Sequence, residues 1–566
     1  MTRDIIAVAR GEAPADLVLR GARVVNVFSG EVVVADVAVK DGVVAGLGDY
    51  AAGREVVDAG GLFVLPGLID AHVHIESTML SPAGFAAAAA PHGTTAVVAD
   101  PHEIVNVAGR EGLDYMAAAS EGLPLDIFYT VPSCVPATPL ETGGAEFGPG
   151  EVAAALAAVG SPGLGEMMNY PGVLAGDAAV LAKIAAAKGR GLAVDGHAPL
   201  VRGRELNAYL SAGIGSDHEC TLAEEAREKA ALGMHVIIRE GSAAKNLLAL
   251  LPAVTERNAA CFSFCTDDRH PADLLGEGEI DNVLRRAVAA GLDAVTAVRM
   301  ATLHPARHYR LAGLGAVAPG YRADLVLVTD LKDFAVERVY KGGRLVAANG
   351  RLVVETPRPE AGRLADTVRL PELKGRFALP PAPAGARANV IEALPGQVMT
   401  RRVTLTAAEV AADGELARVA VVERYGRRGD VAVGLVRGFG LKRGALASSV
   451  AHDSHNVIVV GKNEADMEAA AQAVGEMHGG LAVVADGEVL AALPLPVGGL
   501  MTNEPAGKVA AEHARVEAAA HGLGCTLPAP FMTMSFLALP VIPALKITDR
   551  GLVDVERFAF VGLWEA

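Results

Sequence analysis

The segment Gly67-Leu-Ile-Asp-Ala-His-Val-His-Ile-Glu-Ser77 places two histidines, His72 and His74, two residues apart at the end of an apolar run. If this run is a β-strand, both imidazoles face the same side of it. Two imidazoles that converge from one strand supply half of a site for a divalent metal ion. An H-x-H pair is also typical of a solvated strand face, so the metal hypothesis depends on what the rest of the chain adds.

The region from residue 63 to residue 310 repeats one unit, in which a short apolar run ends in polar residues and an Ala/Leu-rich helical stretch follows. Eight such units in about 250 residues predict a (β/α)8 TIM-like barrel, whose active site lies at the carboxyl ends of the strands. The charged and imidazole side chains of this region collect at those ends. We predict strand ends at residues 71–74, 99–103, 130–133, 166–169, 195–197, 216–219, 239–242 and 266–268.

Short β-branched runs stand on both sides of this region. Asp41-Gly42 lies between two of them and predicts a hairpin, and a similar pattern returns at residues 321–350. A proline-rich stretch before residue 390 is typical of a connector. The predicted fold class is therefore α/β, with a composite β-sandwich domain, the barrel and a C-terminal α/β domain at residues 1–62 with 311–365, 63–310 and 390–566.

The composition favours a small substrate over a macromolecular partner. Lys+Arg 50 against Asp+Glu 66 gives a formal net charge of −16 over 566 residues, which disfavours a nucleic-acid or anionic membrane surface. The five cysteines are scattered without disulfide-framework spacing, and charged residues precede any long apolar run. We therefore expect a cytoplasmic chain with no signal peptide and no membrane span. A homo-oligomer, most simply a dimer, is also expected, although no motif specifies it.

Six residues at the predicted strand ends could bind metal together. Four imidazoles and two carboxylates that face one barrel mouth could hold two divalent ions, with one carboxylate bridging them. Taken singly, each histidine is more often a hydrogen-bonded structural residue, and the glutamate more often a member of an ion pair. Their joint occurrence favours a metal centre formed by His72, His74, Glu166, His197, His218 and Asp267.

Several longer motifs point to one family. They are Ala99-Asp-Pro-His-Glu-Ile-Val-Asn-Val107, Gly165-Glu-Met-Met-Asn-Tyr-Pro-Gly-Val173, Asp195-Gly-His-Ala-Pro199, Ser216-Asp-His-Glu219, Cys265-Thr-Asp-Asp-Arg-His-Pro271 and Ser448-Ser-Val-Ala-His-Asp-Ser-His-Asn456. On these motifs nearly the whole chain resembles the amidohydrolase superfamily and, within it, the bacterial adenine deaminase family. The resemblance implies hydrolytic deamination of adenine to hypoxanthine and ammonia by a metal-bridging hydroxide, in purine salvage or catabolism. We expect two divalent ions per chain, with manganese or iron favoured and zinc as an alternative.

The fourth strand end separates this family from other members of the superfamily. Many of those bridge their two metals with a carboxylated lysine at this position, but Gly165-Glu-Met-Met-Asn169 contains no lysine. The nearest one, Lys183, falls in a helical stretch. Glu166 is therefore the expected bridge, and a cyclic amide hydrolase is the weaker alternative. A non-catalytic barrel scaffold is a second alternative, but it would be expected to lack ligands that are present here.

Deamination also needs acid–base groups beside the metals. Asp267 is expected to take the proton of the hydroxide and pass it to the leaving amino group, besides ligating one metal. If the strand persists, Asp267 and Asp268 face opposite sides, and the resemblance assigns the inward position to Asp267. His102 and Glu103 remain alternatives for protonating a ring nitrogen.

A polar loop in the C-terminal segment carries His452, Asp453 and His455. A hydrogen-bonded loop is the favoured interpretation. Another metal site and a contact with the barrel mouth are the alternatives.

Overall fold

The computed structural model describes residues 2–158, 160–242, 244–357 and 360–565. Eight short strands alternate with helices in the first half of the chain, and most of their residues are buried. Apolar strands that are buried on both faces are typical of a parallel sheet covered by helices. The eight strands are Leu68–Val73, Thr94–Ala99, Asp126–Tyr129, Gly163–Met167, Ala193–Gly196, Ser216–Asp217, His235–Arg239 and Phe262–Cys265.

These strands pair in parallel as three sheets, formed by the first three strands, the fourth and fifth, and the last three. A parallel bridge between Val131 and Leu164 links the third strand to the fourth. Gly215 N–H donates to the Val194 carbonyl oxygen (2.9 Å) between the fifth and sixth strands. Asp267 N–H donates to the backbone oxygen of His72 (3.0 Å) at the first strand. The strands are therefore hydrogen-bonded in chain order, with the eighth next to the first.

Some of the helices in this region begin at residues whose side chains cap them. Asp177 accepts a hydrogen bond from Val180 N–H (2.9 Å) at the start of Ala178–Lys188, and Asp293 accepts one from Thr296 N–H (2.8 Å) at the start of Ala294–Met300. Their alanine-rich sequences favour the helical state. The other helices of this region are Pro82–Ala89, His102–Ala108, Arg110–Ala119, Pro149–Ala158, Tyr170–Ala175, Gly203–Ala212, Ala223–Ala231, Leu247–Leu250, Pro271–Gly276, Ile280–Ala289, Ala294–Met300 and Leu303–His308.

Segments on both sides of the eight strands contribute to one nine-stranded sheet. The hairpin predicted at Asp41-Gly42 is present, because both residues adopt the positive φ (50° and 77°) that a type I′ turn requires. Phe63–Pro66 joins the two segments, since it pairs with Ala15–Asn26 on one side and with Leu325–Val328 on the other. The first helix of the chain and the other strands of this sheet are Thr2–Ala9, Glu31–Lys40, Val43–Gly48, Gly53–Asp58, Val336–Lys341, Arg344–Ala348 and Arg351–Leu352.

The C-terminal segment forms a second nine-stranded sheet and a separate three-stranded sheet. Asn463 caps the helix Glu464–Glu476, because its side chain accepts Asp466 N–H (2.8 Å). A hairpin at Asp486-Gly487 joins the antiparallel strands Gly480–Ala485 and Glu488–Pro494. The strands of the nine-stranded sheet are Arg387–Ala393, Thr400–Thr406, Ala417–Val422, Val431–Arg437, Ala445–Ser448, Val457–Gly461, Gly480–Ala485, Glu488–Pro494 and Trp564–Glu565. The three-stranded sheet contains Leu545–Thr548, Gly551–Asp554 and Ala559–Val561. The remaining α-helices are Ala407–Ala412, Ala506–Gly522 and Pro530–Ser535.

The C-terminal segment packs on the loops that follow the eight strands. Thr502 N–H donates to the Met79 carbonyl oxygen (2.9 Å) after the first strand. Asn456 Nδ2 donates to the Thr142 carbonyl oxygen (2.9 Å) after the third. One apolar core cluster contains buried residues from both parts of the chain, so the two are packed as one body. Among the described residues, none of the helices combines the length and apolar character needed to cross a bilayer.

Candidate metal centre

The two histidines of the first strand face the same buried space. His72 and His74 are 1% and 4% exposed, and their Nε2 atoms lie 3.1 Å apart. His74 Nδ1 donates to the carbonyl oxygen of Asp100 (2.9 Å), which directs Nε2 toward the site. A backbone carbonyl behind one ring nitrogen is a common support for a histidine that ligates metal through the other.

Glu166, near the end of the fourth strand, lies between two groups of histidines. Its Oε1 is 3.3 Å from His74 Nε2, and its Oε2 is 2.6 Å from His197 Nδ1 and 3.2 Å from His218 Nε2. The Glu166 N–H donates to a carboxylate oxygen of Asp100 (2.8 Å), which fixes the backbone at this point. The two carboxylate oxygens therefore face different histidine groups, as a bridging ligand requires.

Asp267 reaches the histidines of the first strand from the loop after the eighth strand. Its Oδ1 is 3.2 Å from His74 Nε2 and 3.5 Å from His72 Nε2. The alternation argument used in the sequence analysis does not apply, because the eighth strand ends at Cys265 and Asp267 has a left-handed backbone conformation (φ 58°). That turn directs Asp267 inward, while Asp268 accepts a hydrogen bond from the Ser77 hydroxyl (2.5 Å).

The charges of these groups are strongly coupled. Burial alone would raise the pKa of the Glu166 carboxyl, but the adjacent His197 and His218 outweigh it and hold that pKa well below its ordinary value. Burial also opposes ionisation of Asp267, yet the Arg239 guanidinium and the histidines hold its pKa well below the ordinary value. Both carboxyl groups are thus ionised at neutral pH, which is the form that binds cations.

The donor set fits divalent metal ions. Possible ligand atoms come in groups of three that lie within 4.8 Å of one another, and nearly all belong to buried residues. Imidazole nitrogen with carboxylate oxygen suits manganese, iron and zinc alike. The groups include His72 with His74 and Asp267, His72 with Glu166 and His218, His74 with His102 and Glu166, and His197 with His218 and Glu219.

His102 and Glu103 stand at the start of the helix after the second strand. His102 Nδ1 lies 3.4 Å from Glu166 Oε1, so its ring borders the proposed ligands. Glu103 instead contacts the C-terminal segment, because its carboxylate accepts hydrogen bonds from His452 Nδ1 (2.6 Å) and from His455 Nε2. The loop is hydrogen-bonded, as in the favoured interpretation, since Ala451 N–H donates to His455 Nδ1 (3.2 Å). The bonds to Glu103 add the alternative contact with the loops that follow the eight strands.

Comparison with known proteins identifies the family of this chain. The amidohydrolase family model matches residues 63–346, and the model of the adenine deaminase C-terminal domain matches residues 397–559. An adenine deaminase from Desulfatibacillum aliphaticivorans is 50% identical over 571 residues, which cover 99% of both chains. One from Dehalococcoides mccartyi is 48% identical over 566 residues, which cover 98% of both. The chain belongs to the adenine deaminase family of amidohydrolases.

Membership of the adenine deaminase family confirms the resemblance inferred from the motifs. Amidohydrolases are metal-dependent, which agrees with the clustered ligand atoms. Among solved structures, a dihydropyrimidinase from Brevibacillus agri is 18% identical with a TM-score of 0.46, covering 60% of this chain and 96% of its own.

Two further charged residues of this adenine deaminase family member border the site and were absent from the predicted ligand set. Arg239 Nη1 donates to Asp267 Oδ2 (2.7 Å), and Arg239 Nη2 donates to Glu219 Oε2 (3.1 Å). Glu219 Oε1 lies 3.5 Å from His218 Nε2. Both residues lie at predicted strand ends, and this position could have identified them as candidates. Their ion pair joins two different strands, and a single sequence does not show which residues of different strands meet.

A buried lysine supports the histidines of the fifth and sixth strands from behind. Lys229 Nζ, which is fully buried, donates to the Ala198 carbonyl oxygen (2.7 Å), to Asp217 Oδ2 (3.0 Å) and to Glu225 Oε1 (2.7 Å). Ala198 and Asp217 are the immediate neighbours of His197 and His218 in the chain. The lysine therefore connects the two loops that carry these ligands.

Proposed function

We propose that this chain hydrolyses adenine to hypoxanthine and ammonia. The observation that carries the proposal is a cluster of four histidines and two carboxylates in a chain that is 50% identical to an adenine deaminase over 99% of its length. A non-catalytic scaffold has no need for such a cluster, because burying several ionisable side chains at one place costs desolvation free energy.

The architecture that we propose keeps the predicted ranges, which are a (β/α)8 barrel at residues 63–310, a composite β-sandwich domain from residues 1–62 and 311–365, and a C-terminal α/β domain at residues 390–566. The strand Phe63–Pro66 is the exception, because it pairs within the nine-stranded sheet and so belongs to the composite domain. The backbone hydrogen bond between Asp267 and the first strand supports closure of the barrel. The nine-stranded sheet with strands from both flanks supports the composite domain. In such a barrel the catalytic residues stand at the carboxyl ends of the strands.

Two divalent ions fit the donor set that we propose. One would be held by His72, His74 and Asp267, and the other by His197 and His218, with Glu166 between them. When bound, the ions would lower the pKa of a coordinated water to about 7 and so supply the nucleophile that attack on a purine carbon needs. We favour manganese or iron, with zinc as the alternative.

Asp267 is the residue that we propose to carry the proton. Its Oδ2 accepts a hydrogen bond from Arg239, which leaves Oδ1 facing His72 and His74. A carboxylate at this point can accept a proton and deliver it to the departing amino nitrogen. Arg239 favours the ionised form that begins this cycle.

His102 and Glu103 stay the alternatives for protonating a ring nitrogen of the substrate. The His102 ring borders Glu166, whereas both carboxylate oxygens of Glu103 already accept hydrogen bonds. These contacts favour His102 as the group nearer to a bound purine.

A substrate panel tests the proposal. The metal-loaded protein is incubated with adenine, adenosine, dihydrouracil and hydantoin, and ammonia release and ring opening are measured separately. We expect ammonia and hypoxanthine from adenine in equal amounts, and none from protein treated with a chelator. Ring opening of the cyclic amides without ammonia release from adenine would instead support the amide-hydrolase alternative.

The cytoplasmic location and the homodimer stay predictions from composition and family. Light scattering coupled to size-exclusion chromatography measures the second of these directly, and a mass near twice 58.0 kDa is the expected result.

A further inference from the structure

The C-terminal segment contributes two buried histidines to the barrel mouth. His452 and His455 lie in the loop between the strands Ala445–Ser448 and Val457–Gly461, and they are 4% and 1% exposed. Both contact one carboxylate, that of Glu103, which follows the second strand of the other part of the chain. Because Glu103 is 2% exposed, its carboxylate is held by these contacts rather than by bulk water.

The hydrogen bonds around His455 fix which of its nitrogens carries the proton. Ala451 N–H donates to His455 Nδ1 (3.2 Å), so Nδ1 is an acceptor. In a neutral imidazole the other nitrogen, Nε2, then bears the hydrogen and donates it to Glu103. A nitrogen that donates a hydrogen has no lone pair for a metal ion, so the trio of His452, His455 and Glu103 acts as a hydrogen-bonded clamp rather than as a third metal site.

The orientation of His452 is also fixed. Its ring stacks on Phe536 with the centroids 4.6 Å apart, and its Nδ1 donates to Glu103 Oε1 (2.6 Å). The same Oε1 atom lies 3.4 Å from His102 Nε2. The clamp therefore continues through Glu103 to the ring of His102, which borders Glu166.

We propose that His452 and His455 are positioning residues of this site, which hold the Glu103 carboxylate against His102 and thereby make catalysis depend on the C-terminal domain. The inference rests on the proposed function, because it concerns the same reaction. Neither histidine touches the substrate or the metals in this account. Their contribution is to fix a buried carboxylate whose remaining side-chain contact is the longer one from Oε1 to His102 Nε2 (3.4 Å).

Amide substitutions provide a matched test. The asparagine amide nitrogen can replace Nδ1 of His452, and the glutamine amide nitrogen can replace Nε2 of His455. The variants His452→Asn and His455→Gln should therefore keep the hydrogen bonds to Glu103, whereas His452→Leu and His455→Leu remove them. In the swapped variants His452→Gln and His455→Asn, the amide nitrogen does not coincide with the imidazole nitrogen that donates to Glu103.

The measurements are kcat and KM for adenine, metal content and the thermal unfolding midpoint, on the full-length metal-loaded protein. We expect the leucine and swapped variants to lose about 10- to 100-fold in kcat, the range for residues that orient a site through another group, with metal content unchanged. The matched amides should recover most of kcat. A role in packing alone would move the unfolding midpoint without this dependence on the position of the amide nitrogen.

Three results would overturn the inference. The first is normal kcat in the leucine variants, and the second is equal loss in the matched and swapped amides. The third is loss of a full metal equivalent with either leucine variant, which would make the trio a metal site. A wild type that binds metal but does not deaminate adenine would overturn the proposed function itself, before any variant is compared.

Discussion

Replacing Asp267 by asparagine distinguishes its proposed role in proton transfer from its proposed role as a metal ligand. Asparagine tolerates the left-handed conformation that residue 267 adopts (φ 58°), so the backbone need not change. It also keeps an oxygen for the His72 and His74 side of the site, but an amide cannot accept a proton at neutral pH. The substitution therefore removes the base while it keeps most of the shape.

The expected magnitude follows from the contacts of Asp267. Loss of a general acid–base group lowers the rate by about 10²-fold or more, which is at least about 2.7 kcal/mol in the barrier. The amide nitrogen would also face Arg239, whose hydrogen bond to Oδ2 (2.7 Å) is charge-assisted and of the kind that contributes about 1.5–3 kcal/mol. Arg239 keeps its bonds to Glu219, so we expect this second effect to appear as weaker metal binding rather than as unfolding.

The assay compares kcat and metal content of Asp267→Asn with those of Asp268→Asn. Asp268 accepts a hydrogen bond from Ser77, and an asparagine oxygen can accept the same bond, so the control variant should remain close to the wild type. The reasoning is refuted if Asp267→Asn deaminates adenine at the normal rate, or if Asp268→Asn is the more damaging change.

Three other substitutions test separate parts of the account. Glu166→Gln should lose most bound metal and most activity together, and a variant that keeps both ions and normal turnover would show that another residue bridges them. Lys229→Met leaves two buried carboxylates unpaired and should lower the free energy of unfolding by about 3–5 kcal/mol, whereas Lys188→Met, at an exposed lysine, should change the unfolding midpoint little. Gly165→Ala would push a Cβ into the carboxylate that accepts the Glu166 N–H, so metal affinity should fall, while Gly150→Ala, whose Cβ meets nothing within 4 Å, should bind metal normally. Equal metal affinity in the two alanine variants would contradict the close approach at residue 165.

Much of the site could be predicted because parallel strands present their carboxyl ends at one edge. The polar residues that interrupt each apolar run mark these ends, and all eight occur close to the predicted positions. Two histidines on one strand, as at His72 and His74, are a local pattern, and a local pattern can be recognised in a single sequence. The prediction that residues from distant strand ends lie close together then followed from the fold class rather than from the individual residues.

The features that sequence reasoning missed depend on contacts between distant segments. Glu103 and His452 are 349 positions apart, and nothing near either residue indicates that they meet. The bond from Arg239 to Asp267 likewise joins two strand ends whose side-chain directions depend on loop geometry. Asp267 itself faces inward through a left-handed turn, which the two-residue period of a strand does not describe.

Metal reconstitution followed by adenine turnover tests the central claim most directly. Protein stripped of metal by a chelator is titrated with Mn2+, and hypoxanthine formation is measured at each metal-to-protein ratio. The account predicts no activity in the stripped protein and a rise that ends at about two equivalents, as expected for a bridged pair of ions. Deamination by the stripped protein, or full activity at one equivalent, would contradict it.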